Sequence, residues 1–160
     1  MKVLLLAASA ALALSACQRA VIHDNQVTVS ENAGPGGTVQ VTVAGKDGSV
    51  TTMGKQLPAD LPPYAKLYPG GSLTSTVNTP GHGGMIAFTT KAAPQAVVDF
   101  YKADAAQANL TSVMDSSTMN PGGMGAHVMV FSQTGTQRSM SVTVEQQSDG
   151  TKVAVMYGSS

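Results

Sequence analysis

Tryptophan is absent from this 160-residue chain, and there are only three phenylalanines and four tyrosines. Charged residues make up 11%, less than half the ~25% usual in globular domains. Nine basic side chains balance nine acidic ones. With no basic excess, the composition argues against a phosphate-neutralising nucleic-acid binder. The single cysteine rules out an internal disulfide and a Cys-rich metal site. Histidine occurs only at His23, His82 and His127. There is no His-Glu-x-x-His string, no Gly-x-x-x-x-Gly-Lys-Ser/Thr phosphate loop and no Gly-x-Ser-x-Gly elbow. The acidic residues are dispersed; Asp99 and Asp104, five apart, fall on different sides of a helix. These absences predict a protein that is not an enzyme. What is present is a 42% hydrophobic content, enough for a packed core.

The first residues read MKVLLLAASAALALSAC. Lys2 supplies a positive start, and Val3 to Leu14 is an apolar run. That run is short of the ~20 residues a bilayer-spanning helix needs, but it suits the apolar core of a signal peptide. Leu14-Ser15-Ala16-Cys17 resembles the lipobox of bacterial lipoproteins. The resemblance implies lipidation of Cys17 by a diacylglyceryl group and cleavage before it. Residues 1–16 are then a signal peptide, and 144 residues remain. It further implies that the protein meets the membrane through the Cys17 lipid. Gln18, where an Asp would hold such a protein at the inner membrane, implies an outer-membrane site facing the periplasm. No thiol is left for catalysis.

Residues 17–36 read as a lipidated tether. Within them Gln26-Val27-Thr28-Val29 precedes a breaker, Gly34-Pro35-Gly36-Gly37, and the same QVTV string recurs at 40–43. Residues 37–56 read as a β-hairpin, with Val39, Val41 and Val43 alternating before an Asp47-Gly48 turn. Pro58, Pro62, Pro63 and Pro69 exclude a regular helix or central strand for the next stretch. It is expected to run as a packed arm, with Leu57, Leu61, Tyr64, Leu67 and Tyr68 turned inward.

Leu67-Tyr68-Pro69-Gly70-Gly71, together with the preceding hairpin, is similar to a segment of small uncharacterised bacterial envelope proteins. In those a Pro-rich Tyr-Pro-Gly stretch stands before a two-layer α+β domain. The resemblance implies architecture and transfers no catalytic residue.

Residues 57–160 are therefore expected to hold the arm and an α+β domain. Strand-like runs at 73–77 and 85–90 precede a helical pattern, in which Val97, Tyr101, Ala105 and Ala108 share one stripe behind Pro94. Asn109 is placed to end that helix. Alternation resumes at 110–114, 126–132, 138–145 and 151–157. The expected fold is an antiparallel sheet with one helix packed on one face, in the order β-β-α-β-β-β-β.

Methionine is the unusual component, with eight left after signal cleavage. Met85, Met129, Met140 and Met156 sit in alternating runs and are expected to fill the core. Two Gly-rich strings suggest something else: His82-Gly83-Gly84-Met85, and Met119 to Met124 followed by His127. Thioethers and imidazoles suit Cu(I) or Ag(I). If the two loops meet, His82, Met85, Met119, Met124 and His127 form a soft-metal site. The main expectation is a lipid-anchored cell-envelope protein with a binding or structural role and no cofactor. It would contact an envelope protein or the cell wall, and no nucleic acid. The alternative is a periplasmic Cu(I)/Ag(I)-binding protein.

Overall fold

Period-two alternation writes one set of side chains to each side of a strand. Among the described residues there are nine strands, and most of them carry that pattern. The computed structural model describes residues 28–33, 39–45, 49–118, 120 and 125–158. The strands are β1 (Thr28–Ala33), β2 (Val39–Ala44), β3 (Val50–Gly54), β4 (Ser72–Thr79), β5 (Gly83–Thr90), β6 (Thr111–Ser117), β7 (Ala126–Ser132), β8 (Ser139–Gln147) and β9 (Gly150–Gly158). One helix, α1 (Pro94–Gln107), lies between β5 and β6.

All nine strands form one antiparallel sheet in the order β1-β2-β3-β4-β5-β9-β8-β7-β6. Strands β1 to β5 follow one another as a meander. The helix then carries the chain across to the far edge, and β6 to β9 return until β9 pairs with β5. An antiparallel sheet with one helix is thus the α+β class expected from the sequence. The sheet is larger than expected, and the element order differs. Three strands precede the Pro-rich arm, and they extend the main sheet through β3–β4 pairing. Residues 28–33, read as tether, pair with β2 as a further strand. Their polar sequence, TVSENA, shows no alternation that would mark a strand.

The helix buries Val97, Val98, Tyr101 and Ala105 against one sheet face. Full burial of side chains of this size contributes roughly 1.5–3 kcal/mol each. From the sheet that face supplies Ile86, Phe88, Met129, Met140, Val142, Val144, Val153 and Val155, all fully buried. Pro94 opens the helix without a side-chain cap. Asn109, at φ +58°, closes it. Leu110 N–H donates to Ala105 O (2.9 Å) and Asn109 N–H to Ala106 O (3.1 Å). These are the two bonds of a Schellman motif, and buried Leu110 makes its hydrophobic contact.

The Pro-rich arm covers the rest of that face. Tyr64 and Ala65, in a short 3₁₀ turn, are buried, and Leu61, Leu67 and Tyr68 pack against the core. Leu57 corrects the expectation of inward packing, since it is 44% exposed. Two hydroxyls fasten the arm: Tyr64 Oη donates to Gly158 O (2.6 Å), and Tyr101 Oη to Lys66 O (3.0 Å). A third link runs from Tyr157 Oη to Asn78 Oδ1 (2.9 Å) and from Asn78 Nδ2 to Asp60 Oδ1 (2.8 Å). Burial, then the nearby Asp60 carboxylate, pushes the Tyr157 pKa up to about 12, so its hydroxyl stays a donor. Gly84 makes room for that ring, because a Cβ there would stand 2.7 Å from the Tyr157 hydroxyl and 2.3 Å from Val77 O.

Candidate functional site

The sheet has a second face, which neither the helix nor the arm covers. Strand register decides what stands on it. Reading across the ladders, Val41, Met53, Val77, Met85, Met156, Ser141, Val130 and Met114 are successive cross-strand partners on eight neighbouring strands. This row is apolar except at Ser141. Met156 is 57% exposed, Met114 45% and Met53 42%. Beside its centre, towards Ser139 and Gly158, lies an open depression of about 550 Å³, lined in part by Val77, Met85, Val130, Ser141 and Met156.

On one side of the row stand Gly83, Gly158, Ser139 and Ser132, and on the other Ala87, Ala154, Thr143 and Val128. The methionines therefore rise from between two bands of mostly small residues. On strands β2 to β9, Glu145 and Lys152 are the only charged side chains on this face. They are cross-strand partners with Nζ 3.7 Å from the carboxylate. The core-filling expectation for methionine holds for Met129 and Met140, which are fully buried. It fails for Met85 and Met156, whose strands turn them to the open face. Both sides of β9 are apolar there (Val155, Met156, Tyr157), so sequence alternation alone does not say which side is covered.

The predicted soft-metal residues do not form one group. His82 is exposed in the turn between β4 and β5, and Met85 follows on β5. His127 is at the start of β7, in the row of Val144, Val153 and Phe88. Strands β5 and β6 run in the same direction, so the β4–β5 turn and the β6–β7 loop emerge at opposite ends of the sheet. Strand geometry separates His82 from His127 by roughly 20 Å or more. Met119 and Met124 lie outside the described residues. Among the described residues, no three His, Cys, Asp or Glu side chains gather to hold a metal. Cys17, the lipidation candidate, also lies outside them.

His127 has a different set of partners. Its Nε2 is 2.5 Å from Asp115 Oδ1 on β6, and Lys102 Nζ of α1 is 2.7 Å from Asp115 Oδ2. The Lys102 hydrogen bond, then that of His127, holds the Asp115 carboxyl below its usual range. Asp115 thus ties the edge strand to the helix and to β7. A second ion pair, Lys66–Asp104 at 2.8 Å, joins the arm to the helix. Burial and then the Asp104 charge raise the pKa of neighbouring Tyr101, which stays protonated. Both clusters brace the covered side of the sheet.

The sequence alone did not pick out the open row. Its members come from eight strands, and only the register reveals that they are neighbours. Compared with protein-family profiles, with curated proteins and with solved structures, the chain matches none, and its own residues carry the functional reading.

Proposed function

We propose that this chain is a lipid-anchored cell-envelope protein that acts by binding, without catalysis, through the open face of its sheet. One observation carries the reading: the exposed methionine row across a braced sheet whose other face is buried. Contiguous apolar patches of this kind mark interaction sites on soluble domains. Methionine suits such a surface, because its unbranched, polarizable side chain adapts to the shape it meets. The string Leu14-Ser15-Ala16-Cys17 supports the anchor. Two or more acyl chains on Cys17 suffice for stable attachment. Among the described residues, no helix is long and apolar enough to cross a membrane. Gln18 favours the outer membrane, facing the periplasm. The partner on this reading is another envelope component.

Soft-metal binding is the second reading, and one observation favours it. Met85 and Met156 are direct cross-strand partners on the open face. Cu(I) accepts thioether ligands, but a pair without a third donor holds it weakly. The loop histidines do not supply that donor together.

Two experiments test the main reading in the full chain. Labelling cells with radioactive palmitate should mark the protein and should fail for Cys17→Ser. A photocrosslinking residue in place of Met156 should give a discrete adduct in cells, while one in place of exposed Asp99 on the helix should not. Equal adducts from both positions, or none from either, would remove the open face as the binding surface.

A further inference from the structure

We propose that the open face pairs with the same face of a second copy of this chain, a partner assignment that rests on the binding-face reading above. The product is a two-layer sandwich with the methionine rows inside and the helices outside.

Size is the first argument. Eight strands at ~4.8 Å spacing and three rows of outward side chains at ~6.8 Å give a footprint of about 38 by 20 Å. That is roughly 780 Å², close to the ~800 Å² that each partner of a stable complex buries. A small ligand in the depression would leave most of the row exposed, whereas a second sheet covers it to both edges.

Charge is the second argument. Glu145 and Lys152 are adjacent and of opposite sign, so strands β2 to β9 give the face no net charge; Glu31 of β1 stands at the row's end, opposite Val41. An acidic or basic partner gains no electrostatic complementarity from it. A second copy is balanced in the same way, so two copies meet there without a net charge of one sign facing its like. Isologous pairing of this kind requires a self-complementary surface.

Shape is the third. Met85 and Met156 form a ridge between troughs of Gly83 and Gly158 on one side and Ala87 and Ala154 on the other. When two such faces meet, the ridge of each enters a trough of the other. Aligned sheets pack ~10 Å apart with interdigitated side chains, and flexible methionines fill the gap. Edge-to-edge pairing through β6 has less support. The outer strand β6 is irregular between Ser112 and Met114, and such bulges block strand addition.

The test uses the full chain, co-expressed in cells with two different tags and a photocrosslinking residue replacing Met156. The expected result is a covalent adduct carrying both tags at twice the chain mass. It should disappear when Met85→Lys is added, because a Lys would then lie in the apolar layer. Met85→Leu, which keeps volume and polarity, should retain it. Loss of the adduct with Met85→Leu as well as with Met85→Lys would overturn the ridge-in-trough packing. A discrete adduct from position 156 to a different protein, with no two-tag product, would overturn self-pairing and leave the binding face standing. No adduct of any kind from position 156 would overturn both.

Discussion

Alanine at Met140 and at Met156, one substitution at a time, separates the two faces energetically. The residues lie on adjacent strands, β8 and β9. Met140 is 0% exposed and Met156 57% exposed. Emptying a buried methionine site costs about 2–5 kcal/mol, transfer and cavity terms together. Met156 buries less than half of its side chain, and full burial is worth roughly 1.5–3 kcal/mol. Its truncation should therefore cost about 1 kcal/mol or less. For a domain of this size, one kcal/mol moves Tm by roughly 3–5 °C. Met140→Ala should lower Tm by ~6–25 °C and Met156→Ala by less than ~5 °C. The assay is thermal and urea unfolding of a soluble fragment from Gln18 to Ser160, dilute enough to be monomeric. Equal losses for the two variants would refute the reasoning, because Met156 would then be covered within its own chain.

Other positions give independent checks. Asn109→Gly should leave stability nearly unchanged, whereas Asn109→Ala should cost about 1–2 kcal/mol, because φ is +58° there; chemical denaturation reads both. Tyr157→Phe should cost about 1–3 kcal/mol in the same assay by leaving Asn78 Oδ1 without its donor. The depressed Asp115 pKa stabilises the fold above the carboxyl's ordinary value near ~3.9, and this contribution is lost as pH falls through the folded value. Amide exchange in β6 should therefore accelerate in that acid range, and Asp115→Asn should remove the change; the carboxylate is 38% exposed, so added salt should weaken the effect. A competitive Cu(I) titration of the fragment should show no tight site that requires both His82 and His127, and one-to-one binding lost in either variant would contradict the placement of the two loops.

Local order was readable from local residues. The helix from Pro94, its end at Asn109, and the inward set Met140/Val142/Val144 follow from periodicity within a single element, whereas in β7 alternation separates Val128/Val130 from Met129/Phe131 without saying which pair is covered. Pairing between distant elements did not. β9 sits between β5 and β8 although some sixty residues separate it from β5, and nothing in either strand names the other. That pairing places Met85 beside Met156 and builds the open row. β1 escaped notice because its polar residues carry no alternation. Of the soft-metal set, His82 and His127 are parted by strand direction: the helical crossover restarts β6 at the same end as β5, so the two histidines stand at opposite ends of the sheet, while Met119 and Met124 lie outside the described residues.

The proposal that the open face is covered in its native setting can be read directly from methionine oxidation. Cells and the dilute fragment would be treated briefly with peroxide, and sulfoxide formation followed at each methionine by mass spectrometry. Met129 and Met140 should react slowly in both samples. Met85, Met114 and Met156 should react quickly in the fragment and several-fold more slowly in cells. Equal rates for these three in both settings would contradict the docking role of the face.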